Sequence, residues 1–132
     1  MFFKNFWPAI LWSIVIFILC STPGKSFPST DWMRWFNFDK WVHAFLYFVL
    51  LCLCYFGYRK YANKEWGTMF LVSLIFCVCY GVGIELFQAF FLPDRSGDAP
   101  DAVANSMGSV FAILSIRILF KSWPWQNNVL QN

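Results

Sequence analysis

The sequence predicts an all-α fold: an integral membrane protein built as an antiparallel four-helix bundle. Three observations carry this. Of the 132 residues, 59% are hydrophobic and only 13% charged, against about 25% charged in an ordinary soluble domain. A small soluble domain has too large a surface for so few charges. The apolar residues fall into four runs, each near the ~20 residues with which a helix crosses a hydrocarbon core. Seven of the eight tryptophans (Trp7, Trp32, Trp35, Trp41, Trp66, Trp123 and Trp125) stand near the ends of those runs, as aromatic belts do at membrane interfaces. Trp12 is the exception.

The first span is expected over residues 5–24, which hold no charged side chain. Lys4 and the apolar run also fit a signal peptide, but Leu19 precedes Cys20 where a lipoprotein signal needs a small residue, and no small-x-small cleavage site follows. A retained helix is the reading. Residues 21–38 form the longest connection, broken by Pro23, Gly24 and Pro28. Its aromatic second half suits an interfacial segment. The second span is expected over 41–58, with no Asp, Glu, Lys or Arg. A short loop with Arg59, Lys60 and Lys64 leads to the third span at 66–92, interrupted by Glu85 and Gln88. Residues 93–100 make a polar turn, and the fourth span follows at 101–120. The whole chain, 1–132, reads as a single domain.

Several function classes drop out. A net charge of +3 without a basic stripe gives no nucleic-acid footprint. The five cysteines all lie in apolar runs, where they pack as small apolar residues. Their C-x-C pairs have no His or carboxylate nearby in sequence, and a disulfide framework belongs to loop-rich secreted domains. There is no Gly-rich nucleotide loop and no serine elbow. No compact ligand motif such as H-E-x-x-H occurs, so neither a metal nor another cofactor is expected, although carboxylates with one His can bind a divalent ion.

Lys and Arg placement sets orientation. Lys4, Arg59, Lys60, Lys64, Arg117 and Lys121 fall on one side of the predicted bundle, and Lys25, Arg34, Lys40 and Arg95 on the other. Both termini are therefore expected in the cytoplasm.

With that topology the unusual polar residues share the outer side. Asp39, His43 and Tyr47 recur every four residues, on one helix face. Gly81, Glu85 and Gln88 share a face of span three, and Asp98, Asp101, Asn105 and Gly108 a face of span four. Arg95 lies in the turn between them. Each has an ordinary alternative. Asp98, Asp101 and Asp39 fit helix caps, Lys40 an interfacial anchor, and His43 and Tyr47 packing. Glu85 is the exception, because a charge deep in a span costs ~2.5–3.5 kcal/mol on insertion scales. It must be neutral, paired or facing a wet cavity, and Arg95, Lys40 and His43 are the cations within reach. Coupling of Glu85 to Arg95 is the specific expectation.

The series Asp39-Lys40-x-x-His43-x-x-x-Tyr47, Glu85-x-x-Gln88 and Pro93-x-Arg95-x-x-Asp98-x-x-Asp101-x-x-x-Asn105-x-x-Gly108 resembles the VanZ-like family of small bacterial membrane proteins. The likeness runs from about Ser21 to Gly108. It implies a four-span protein of the bacterial inner membrane. The family is named after a member associated with resistance to the glycopeptide teicoplanin, so antibiotic resistance is among the functions the resemblance raises.

Two kinds of function fit the constellation. In the first, the outer-leaflet pocket binds or handles a lipid or lipid-linked cell-envelope molecule, with Asp39, Lys40, Tyr47, Gln88, Arg95, Asp98 and Asn105 as binding residues. In the second, the protein is a membrane enzyme, with His43, Glu85 and Asp101 as candidate catalytic residues for acid/base chemistry on a lipid-linked phosphate. No evident nucleophile–base pair favours the enzyme. Membrane lipids or an envelope precursor are the expected partners in both.

Overall fold

Each apolar run winds into one helix. In the computed structural model, which describes residues 2–22, 38–61, 66–92 and 99–121, these are α1 (Phe2–Ser21), α2 (Phe38–Tyr61), α3 (Trp66–Phe91) and α4 (Ala99–Lys121). All four are long and apolar enough to cross a membrane. No strand occurs among the described residues.

The side-chain pairings fix the directions. Phe6 of α1 stacks edge-on against Tyr61, and Trp12 donates its indole N–H to the Leu46 carbonyl at 3.0 Å, so α1 and α2 are antiparallel. The Tyr80 hydroxyl donates to Ser13 O at 2.6 Å and Gln88 Nε2 to Cys20 O at 2.9 Å, so α1 and α3 are parallel. Tyr55 stacks on Phe70, with centroids 4.5 Å apart, while Tyr47 lies against Tyr80, which makes α2 and α3 antiparallel. The pairs Lys40–Asp101 and Phe56–Phe120 make α2 and α4 parallel. The result is the expected up-down-up-down bundle.

One departure from the sequence reading, and the exception it marked at Trp12, have physical causes. The helices run beyond the uncharged stretches: α2 takes in Asp39-Lys40 at its start and Arg59-Lys60 at its end. Intrahelical hydrogen bonding continues past the point where hydropathy falls, and long charged side chains reach the interface from there. Trp12 leaves the aromatic belt because its N–H is used inside the bundle, on a main-chain carbonyl of α2. The connection at 23–37, with its expected interfacial segment, and the turn at 93–98 lie outside the described residues.

The central helix is α2, which buries Tyr47, Leu50, Leu51 and Tyr55 completely against Ile16, Cys77 and Ala112. The outward faces carry Leu11, Ile14, Ile75, Leu86, Phe111 and Ile118 exposed, an apolar coat that matches lipid rather than water. Serines are folded back onto their own helices: Ser13 to Ala9 O, Ser106 to Ala102 O and Ser109 to Asn105 O, at 2.9–3.0 Å. This satisfies hydroxyls that have no water to bond.

Close contact between α1 and α2 rests on a glycine. At Gly57, a Cβ would stand 2.9 Å from the Asn5 carbonyl oxygen and 3.0 Å from the Phe6 ring. At Gly67 and Gly83 it would meet nothing within 4 Å. Gly67→Ala and Gly83→Ala are therefore expected to leave thermal stability in detergent unchanged or raise it, since Ala gains up to ~1 kcal/mol of helix propensity. Gly57→Ala should lower it slightly, because the Phe6 ring can rotate away but the Asn5 main chain must shift. A loss at Gly83 equal to that at Gly57 would refute this packing.

Candidate functional site

The chain directions bring the C-terminal ends of α1 and α3 together with the N-terminal ends of α2 and α4. Charged and polar residues of α2, α3 and α4 meet there, in two layers.

The outer layer joins α2 to α4. Asp39 and Asp101 each lie in the first turn of their helix, and His43 follows Asp39 by one turn. Lys40 Nζ donates to Asp101 Oδ1 at 3.1 Å. The pair is graded in exposure, with the Lys40 side chain 37% exposed and that of Asp101 13%. Asp101 is thus more than a helix-start carboxylate, because it holds a cation from the neighbouring helix. The opposite oxygen, Asp101 Oδ2, faces His43 Nε2 at 4.0 Å, and Asp39 Oδ1 faces the same nitrogen at 3.8 Å.

His43 is the hinge between the layers. Its side chain is 5% exposed, and its Nδ1 lies 3.2 Å from Asn105 Oδ1. A carboxamide oxygen cannot donate, so the proton of this bond is on Nδ1. In the neutral ring, Nε2 then carries the lone pair and turns it toward the two carboxylates.

The inner layer lies where Gly81 of α3 approaches α2 and α4. A Cβ on Gly81 would stand 3.3–3.4 Å from the Tyr47 ring and hydroxyl and 3.4 Å from Asn105 Nδ2. The missing methyl leaves room for both side chains. The Tyr47 hydroxyl and Asn105 Nδ2 are buried and have no hydrogen-bond partner among the described residues. Glu85 is buried on the Gly81 face of α3, near enough to act electrostatically on the Tyr47 hydroxyl.

Gln88 stands apart from this arrangement. It shares the face of Glu85, but its carboxamide donates to Cys20 O, so it ties the end of α1 to α3. Arg95 and Asp98 lie outside the described residues, and with them the expected coupling of Arg95 to Glu85.

The sequence places Gly108 on the face of Asp101 and Asn105 but does not mark its partner. Gly108 packs directly on the main chain of Ala44, where a Cβ would fall 2.7 Å from the carbonyl carbon and 2.8 Å from Cα, and on the carbonyl oxygen itself. Ala44 adjoins His43, and Gly108 lies one turn after Asn105. This contact sets the separation across which His43 reaches Asn105. The five cysteines lie on α1, α2 and α3 without forming a disulfide, and none belongs to the cluster.

The fold and this cluster define a multi-pass membrane protein with a polar site at one end of a tightly packed helix pair. The chain belongs to the VanZ/LLP1 family, whose model matches residues 2–120. No curated protein and no solved structure matches the chain.

Proposed function

We propose that the protein binds the anionic headgroup of a lipid or lipid-linked envelope molecule at the mouth formed by the N-terminal ends of α2 and α4, in the outer leaflet of the bacterial inner membrane. The observation that carries this is the placement of Lys40. Its side chain, 37% exposed, stands at one end of an apolar bundle, and it takes one oxygen of its carboxylate partner Asp101. Exchange of that partner for a headgroup phosphate keeps the charge paired. The 67% exposed side chain of Asp39 stands at the rim, and the lipid-facing coat brings acyl chains alongside.

On this reading both termini are cytoplasmic. Reporter fusions within residues 62–65 and 93–98 should report opposite sides, the latter outside. Wild-type protein in detergent, titrated with phosphatidylglycerol and with a polyprenyl phosphate, should bind one of them in preference to phosphatidylcholine. Lys40→Gln should weaken that binding at least tenfold. Equal affinity for all three lipids, or full affinity in Lys40→Gln, would overturn the headgroup reading. His43 beside two carboxylates also suits general acid/base chemistry, and turnover of the bound lipid would move the assignment to an enzyme.

A further inference from the structure

We propose that Asp39, His43 and Asp101 form a divalent metal site. One imidazole nitrogen and one oxygen from each carboxylate lie within 4.8 Å of one another. That spacing is too wide for hydrogen bonds, the closest approach to Nε2 being 3.8 Å. It is right for atoms arranged about a common cation, with donors at roughly 2.0–2.6 Å from the ion.

No compact ligand motif marks this set, because the third ligand comes from another helix. Asp39 and His43 are one turn apart, and Asp101 arrives from α4.

The second argument is the state of His43. It is almost wholly buried, and its Nδ1–H is spent on Asn105. Metal-ligating histidines are held this way, by a hydrogen bond from the far nitrogen that fixes the tautomer and aims the near one. Nε2 has no hydrogen-bond partner among the described residues. It points its lone pair at two carboxylate oxygens, and three acceptors facing one another repel. A cation between them resolves that, whether a proton on Nε2 or a metal ion. Lys40 does not fill the role, since its ammonium is on Asp101 Oδ1 while Oδ2 is the oxygen turned to His43.

Two carboxylates and one imidazole suit a first-row divalent ion of the manganese or zinc type. Charge agrees. Two carboxylates and one ammonium leave the cluster at −1, and a divalent ion brings it to +1. Three protein donors leave coordination positions for water or a phosphate oxygen. The site stands independently of the headgroup, since it can be measured with metal alone.

The test uses the full chain, purified in detergent and stripped with chelator. Mn2+ is titrated in, and the free ion is followed by its paramagnetic resonance signal, with Zn2+ as competitor. The wild type should take up one Mn2+ per chain, displaced by Zn2+. Asp39→Asn and Asp101→Asn should each weaken uptake at least tenfold, with helicity unchanged by circular dichroism. Asp39 is largely exposed, so its variant folds even if that of Asp101 does not. No uptake by the wild type at millimolar ion would mean that a proton on Nε2 holds the cluster, and undiminished uptake in Asp39→Asn would mean that the ion binds elsewhere; either result would overturn the proposal. Failure of lipid binding in the presence of chelator leaves this result untouched, so the two readings fail separately.

Discussion

Gly108→Ala should destabilise the bundle more than any other glycine substitution and should abolish the polar site with it. The added methyl would meet the Ala44 carbonyl group and Cα, all main-chain atoms. No rotamer change relieves that contact, so α2 and α4 must separate. Overpacking of this kind costs about 1–3 kcal/mol and at times more. The gain in helix propensity, up to ~1 kcal/mol, offsets only part. Separation also lengthens the 3.2 Å His43–Asn105 contact and the 3.1 Å Lys40–Asp101 pair, and hydrogen bonds weaken steeply beyond such distances. The melting temperature in detergent should fall by several degrees, and further for Gly108→Val. Ala44→Gly should not rescue it, because the clash is with the main chain and not with the Ala44 methyl. A Gly108→Ala protein with wild-type melting and wild-type ion or lipid binding would mean that the helices are not in contact there.

That contact also shows where sequence reasoning reaches its limit. Hydropathy locates spans because lipid imposes the same demand on every residue of a helix, and all four helices lie where the apolar runs are. It misplaces their ends by a few residues, since charged turns such as Asp39-Lys40 remain helical. Glu85 was legible because a charge is costly deep in an apolar span, and Asp101 and Asn105 because helical spacing puts them on one face beside the polar turn. Their partners were not. Helix periodicity puts Asp101, Asn105 and Gly108 on one face but says nothing about which helix that face meets. The pairing with Lys40, His43 and Ala44 is a property of bundle geometry. Gln88 has the same spacing as a site residue and instead bonds a main-chain carbonyl of α1, an acceptor that every sequence contains at every position.

Asn105→Leu should uncouple the site from the fold. Asn105 is 2% exposed, and two opposed effects meet at its carboxamide. Loss of Oδ1 strands the His43 Nδ1–H, which costs about 1–3 kcal/mol for a buried donor. Interhelical hydrogen bonds within membranes average only ~0.6 kcal/mol, so the cost belongs at the low end. Loss of Nδ2 removes a donor that has no partner among the described residues, and that is a gain. Leucine has a similar volume, so no large cavity opens. Net stability should therefore change little. His43 would lose the acceptor that holds its tautomer and ring orientation, and loss of such a support typically lowers metal affinity 10–100-fold. Asn105→Asp keeps an acceptor for Nδ1–H and offers its second oxygen toward the Tyr47 hydroxyl side, so it should retain most of the affinity. The measurement is Mn2+ affinity beside melting temperature for both variants. Loss of affinity at constant melting temperature in Asn105→Leu, with recovery in Asn105→Asp, identifies Asn105 as a positioning residue for His43. Equal affinity in both would reduce it to a packing residue, and His43 would then be held by the close approach of α2 and α4 alone.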